Sequence, residues 1–137
     1  MFDVSQLDTR ANSEAGIAMK ILHPKTGVPI LDDKMQPVTV TLRVPNSEVS
    51  RNKQRELQLR RTDMARRNID LDDAYFSRER FEFLTAVTMG WTFDTMDGQP
   101  FPFNPGNMDK FWADERWEWV QGQAFSFAQQ GGNYLPL

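Results

Sequence analysis

Cysteine is missing from the 137 residues, so no disulfide framework and no thiolate metal site can hold this chain together. Its stability has to come from burial or from partners. Histidine occurs once, at His23, followed by Pro24. A Ser-His-Asp triad or a multi-histidine metal site would have to run through that one side chain, and a turn residue is its expected role. The eight glycines never take the spacing of a phosphate or dinucleotide loop, which argues against nucleotide chemistry. Long apolar runs are missing too: nothing approaches the roughly 20 residues that a membrane helix needs. The opening MFDVSQLDTRANSEAG carries acids instead of the basic-then-apolar order of a secretory leader. The expectation is an intracellular chain that is neither exported nor membrane-spanning.

What the sequence does hold is charge, unevenly placed. The chain has the length of one domain, and 26% charged residues against 39% hydrophobic ones imply a large wetted surface. Residues 51–69 carry seven basic and two acidic side chains, whereas residues 70–137 carry four and eleven. A basic segment followed by an acidic half points to electrostatic contact within the molecule or between copies of it, and Arg51, Arg55, Arg60, Arg61, Arg66 and Arg67 are the residues expected to make that contact. The same cations are the most nucleic-acid-like feature of the sequence. They lie around most of one predicted helix, however, and the pI is near 5.1, so nucleic acid ranks well below protein as a partner. Carboxylates at Asp70, Asp72, Asp73, Asp94 and Asp97 are read as solvated turns. Thr95 and Met96 stand between the two acids of DTMDG and spoil the alternation that a calcium loop requires.

Residues 1–15 read as a flexible arm with Phe2, Val4 and Leu7 as its sizeable apolar groups, ordered only if something receives them. Residues 16–45 read as a small antiparallel β-meander, because Ile17, Met19 and Ile21, then Val38, Val40 and Leu42, alternate with polar neighbours around turn-forming HPKTG and LDDKMQP. After Pro45, Asn46 or Ser47 is a candidate cap for a basic helix running to about residue 67. Residues 68–76 read as a connection, with Ser77 capping a second helix whose Phe81, Leu84, Thr88 and Trp91 share one face and which Gly90 ends. Residues 91–105 form a hairpin-like aromatic loop around Asp97-Gly98, with Pro100, Pro102 and Pro105 confining any strand there to an edge. Asn104 or Asn107 then caps a third helical region whose core face is Trp117, Val120, Ala124, Phe127 and Ala128, with Gly122 a candidate break; residues 131–137 read as a loose tail. The class is therefore α+β: a small N-terminal antiparallel meander followed by a mainly helical part spanning 46–130.

Ten aromatic side chains fall between Trp91 and Phe127. Part of them must build the core of so short a segment. Trp117 and Trp119, two apart on a helix, point to different sides, as do Phe125 and Phe127, so one buried face cannot take them all. The surplus is expected to form an exposed apolar patch for a protein partner, with Trp91, Phe101, Phe103, Phe111, Trp112 and Trp119 as its candidates. On that reading Trp112 and Trp119 can both be truncated without loss of the fold.

Two stretches carry a resemblance. AGIAMKILHPKTGVPILDDKMQPVTVTLRVPNSEVSRNKQRELQLRR resembles the N-terminal half of small tail assembly chaperones of long-tailed, siphovirus-like bacteriophages, in its paired strands around HPKTGVP, its VTVTL strand and its basic helix after a Pro-Asn-Ser start. LTAVTMGWTFDTMDGQPFPFNPGNMDKFWAD is similar to the segment of that family in which a helix ends in Gly-Trp and an Asp-Gly turn with prolines follows. The likeness covers roughly residues 15–115 in the same order. It implies a helper of tail morphogenesis that coats the tape measure protein and recruits tail tube subunits in the host cell cytoplasm, with no cofactor and no catalytic turnover. The alternatives are a structural minor tail or connector protein of the virion and, further behind, a nucleic-acid-binding regulator using residues 51–67.

Overall fold

The structure, a computed structural model, describes residues 1–7, 10–43 and 47–130, apart from the side chains of residues 11 and 12. Asn46 and the tail 131–137 lie outside the described residues. A small antiparallel sheet, β1 (Ile17–Lys20), β2 (Thr39–Leu42) and β3 (Thr88–Trp91), is followed by a mainly helical C-terminal region, as the α+β reading expected. The helices are α1 (Arg10–Ala15), α2 (Glu48–Arg66), α3 (Asp73–Val87), α4 (Pro105–Ala113) and α5 (Glu118–Ala128), and a two-stranded ribbon joins β4 (Thr95–Met96) to β5 (Gln99–Pro100). Residues 1–15 carry a 3-10 turn at Val4–Leu7 and α1; Phe2, Val4 and Leu7 stand exposed.

The meander forms with a different third strand. Strand β2 is central, and its second neighbour comes from residues 88–91 instead of from the segment between β1 and β2. Residues 21–38 fold instead as a doubled extension of the β1–β2 hairpin: Ile21 donates to Val38 O, Ile30 to Ile21 O and Val38 to Ile30 O, each at 2.9 Å. The helical spacing of Phe81, Leu84, Thr88 and Trp91 accordingly breaks at Val87. There the Thr88 hydroxyl donates to Leu84 O at 2.6 Å, and the chain leaves α3 as an extended strand. Gly90 thus sits inside β3 and does not end a helix.

Local chemistry fixes the helix ends. Ser47 Oγ accepts the Ser50 N–H and donates to Arg43 O, while the Glu48 N–H goes to Glu14 Oε1, tying α1 to the start of α2. At the other end Ile69 N–H reaches Met64 O and Asn68 N–H reaches Ala65 O, with Asn68 at φ 55°, the paired closure of a Schellman motif. Helix α3 begins one turn before the expected Ser77, because Asp72 Oδ1 accepts the Tyr75 N–H at 2.8 Å. Asn104 caps α4, with Pro105 in the first turn where its missing N–H costs nothing. The break in the last helical region lies at Asp114 and a 3-10 turn over Glu115–Trp117; Gly122 continues α5.

The core lies where α3 meets the sheet, α4 and α5. Val40, Leu42, Leu84 and Val87 have no exposed surface, and each contributes about 1.5–3 kcal/mol of apolar burial. Helix α5 packs its Val120, Ala124 and Ala128 inward, with Trp117 and Phe127 half-buried beside them, and it is docked to the doubled extension by a side-chain amide. Gln123 donates to Leu22 O and accepts from Leu22 N–H at 2.7 and 2.9 Å, pairing with that backbone as a neighbouring strand would.

Candidate protein-docking site

The aromatic loop is a stacked assembly. Asp97 and Gly98 take φ of 54° and 78°, both central residues positive as a tight two-residue hairpin turn requires, with Met96 facing Gln99 across it. Behind the turn the Trp91 ring is flanked by Phe93 at 4.7 Å and Phe101 at 5.3 Å, both nearly parallel to it, and Phe103 meets it edge-on at 4.9 Å. Trp91 Nε1 donates to Phe101 O, so the indole is anchored at its polar tip as well. Arg116 clamps the ribbon to the α4–α5 junction: it reaches both Asp97 oxygens at 2.7 and 2.9 Å, grips Asp114, and lies 5.2 Å over the Trp117 ring. Its hydrogen bonds hold both carboxyls below the usual aspartate range and raise the guanidinium above its own.

Beside the ribbon lies an open apolar pocket of about 210 Å³. Ile21, Ile30 and Val38 of the doubled extension form one wall, Phe93, Thr95 and Met96 of the ribbon another, and Trp117, Trp119 and Val120 a third, with Phe111 from α4 also lining it. The volume falls below the ~300–1,000 Å³ of small-molecule sites, and it suits one or two apolar side chains of a protein. Trp117 Nε1 is buried with no acceptor among the described residues.

No family model, no curated protein and no solved structure matches the chain.

The six expected partner-binding aromatics therefore divide on geometry alone. Phe101, Phe111 and Trp112 are core, at 4–6% exposure, and do not belong to an exposed patch. Trp112 Nε1 donates to Thr88 Oγ1 at 3.1 Å and Gln121 Nε2 donates to Trp112 O, which pins α4 between the α3–β3 junction and α5. Trp91 is half-buried in its stack, and Phe103 and Trp119 reach the surface. The adjacent pair Phe111 and Trp112 was legible as apolar but not as doubly covered, because Trp91 and Phe93, which pack on Phe111, and Thr88, which accepts from Trp112, lie some twenty positions earlier. Met96, Ile30 and Val38, which line the pocket, were missed as site residues; Val38 was read only as part of an alternating strand, and Met96 and Ile30 only as neighbours of turns.

The basic helix turns two of its six predicted arginines, Arg60 and Arg61, onto carboxylates of α3. Arg60 meets Glu82 at 2.6 Å and Glu56 at 3.5 Å, Arg67 meets Asp63, and Arg61 grips the buried Glu79 with two nitrogens while lying 5.2 Å over the Phe76 ring. Burial pushes the Glu79 carboxyl up, but the Arg61 hydrogen bonds and the Arg60 charge outweigh it and hold the group below the usual glutamate range. Arg51, Arg55 and Arg66 are exposed with no carboxylate against them among the described residues. A second depression, about 390 Å³, opens between α2, α3 and α5 over Leu57, Phe76, Phe83 and Phe125.

His23 Nδ1 accepts the Lys25 N–H in a turn, as expected. Among the described residues no three His, Asp or Glu side chains gather as a metal ion would require, and no helix is long and apolar enough to cross a membrane.

Proposed function

We propose that the chain is a non-enzymatic tail assembly chaperone of a long-tailed bacteriophage, which binds the tape measure protein and helps recruit tail tube subunits in the host cytoplasm. The resemblance of residues 15–115 supplies the class, and the observation that carries a binding role is the open apolar pocket beside the exposed Trp119. Tape measure proteins are long and helical, and a helper that holds one needs an apolar receptor on a charged body. The pocket offers that receptor, with Trp117, Trp119 and Met96 among its apolar walls. The unpaired Arg51, Arg55 and Arg66 add a cationic face for an acidic neighbour.

Co-expression with the tape measure protein of the same genome tests the reading. Affinity capture by the wild-type chain is expected, with the chain absent from purified particles. Thr95→Arg, at the exposed rim of the pocket, is expected to abolish capture while leaving the melting temperature unchanged. No capture combined with presence in the particle would replace the proposal with a structural tail or connector component.

A further inference from the structure

Exposed apolar side chains clustered within residues 2–7 demand an explanation that a lone surface leucine does not. Phe2, Val4 and Leu7 stand 68%, 74% and 56% exposed, so the chain's own core does not receive them. Between them lies Asp3, whose Oδ1 accepts the Ser5 N–H at 3.0 Å and whose carboxyl is held below the usual range by that bond. The arm therefore presents apolar groups interleaved with one fixed negative charge.

The same chain offers two concave sites for such a segment, and charge separates them. The pocket beside Trp119 is lined without a single charged side chain, so it offers Asp3 no counter-charge. The α2–α3–α5 cleft has the opposite character. Leu57, Phe76, Phe83 and Phe125 give it apolar walls beside three uncharged glutamines, the Arg61–Glu79 pair is internally neutral, and Arg80 donates its Nη2 to the Ser77 hydroxyl at 3.2 Å with no carboxylate against it among the described residues. One cation without a carboxylate thus sits among apolar walls, as a complement to one carboxylate among apolar side chains.

We propose that this cleft receives the N-terminal arm of a second copy of the chain, with Phe2 and Leu7 against the Phe76, Phe83 and Phe125 walls and Asp3 against Arg80. Arm and cleft are different surfaces, so the contact is heterologous: each copy that donates its arm keeps its own cleft open for the next. Such a contact builds linear or ring-like assemblies instead of a closed two-fold dimer. It operates whichever partner the apolar pocket near Trp119 takes.

Sedimentation velocity of the full chain across a concentration series tests this, together with anisotropy of a labelled MFDVSQL peptide added to the Phe2→Ala/Leu7→Ala variant. Wild type is expected to associate with rising concentration. The double variant should stay monomeric with an unchanged melting temperature, and it should bind the peptide because its cleft is empty. Arg80→Glu and Asp3→Arg are each expected to weaken association by about tenfold or more, as like charges at a contact do, and combining them in one chain should restore it. Association that survives Phe2→Ala/Leu7→Ala would overturn the proposal. So would a wild-type monomer at all concentrations, or peptide binding that is lost with Thr95→Arg and kept with Arg80→Glu.

Discussion

Truncating Trp112 and Trp119 separately discriminates core from surface more sharply than any other pair of substitutions in this protein. Both are tryptophans of the same aromatic segment, yet Trp112 is 4% exposed and Trp119 36%. Trp112→Ala removes a buried indole that touches α3, β3 and α5, for which about 3–5 kcal/mol is the usual loss. The lost bond from Nε1 adds about 1 kcal/mol, and no more, because the Thr88 hydroxyl keeps Leu84 O as its acceptor. Against a total stability of about 5–15 kcal/mol, that removes about a quarter or more of what holds the fold. The melting temperature should fall by roughly 10–20 °C for a domain of this length. Trp119→Ala should cost no more than about 1 kcal/mol, and Trp112→Phe should fall between the two. Urea unfolding followed by far-ultraviolet circular dichroism is the suitable assay, since fluorescence itself changes when a tryptophan is removed. A Trp112→Ala midpoint equal to wild type, or one less perturbed than Trp119→Ala, would refute the placement of α4 in the core.

Two further outcomes follow from buried charge and from backbone geometry. Glu79 has its folded pKa depressed, so its contribution is complete above the unfolded value near 4.5 and is lost as pH falls through the lower folded value. Melting temperatures measured from pH 6 to pH 3 should therefore fall less steeply for Glu79→Gln than for wild type, with a cost at neutral pH of only about 1 kcal/mol, because Arg61 keeps access to water. Gly16 has φ +86°, and a Cβ there would lie 2.7 Å from Met89 Sδ and 2.9 Å from Thr41 Cγ2. Gly16→Ala should cost about 1–3 kcal/mol by thermal unfolding, whereas Gly90→Ala, with nothing within 4 Å of its Cβ, should be far milder.

Features written in adjacent residues were legible in the sequence. Ser47, one of two candidate caps, marked the start of α2, Asp97-Gly98 marked the ribbon, and Asn104, again one of two, marked the start of α4. What stayed hidden depends on partners far along the chain. LTAVTMGW carries a helical spacing through Trp91, yet residues 88–91 are extended because β2 offers them a hydrogen-bonded edge some fifty positions earlier. Ser77 looked like a cap, but Asp72 bonds the Tyr75 N–H first and moves the start of α3 forward. The aromatic patch was over-read for the same reason. Helical geometry correctly forbids one face from burying Trp117 and Trp119 alike, but it says nothing of covering layers, and the sheet, ribbon and α3 bury Phe101, Phe111 and Trp112 from several directions.

The central placement of β2 has a consequence for synthesis on the ribosome. One flank of β2 is satisfied by residues 17–20, which precede it, and the other only by residues 88–91, which are made after the whole of α2 and α3. Until those residues emerge, nascent β2 presents an open edge of unpaired amides and carbonyls, the template on which two chains can pair wrongly. Of the two helices made during that interval α2 is polar, whereas α3 carries the core residues Phe83, Leu84 and Val87 and adds apolar surface of its own. A release product stopped before Thr88 should aggregate, whereas one that reaches past Trp91 should close the sheet and lose that hazard.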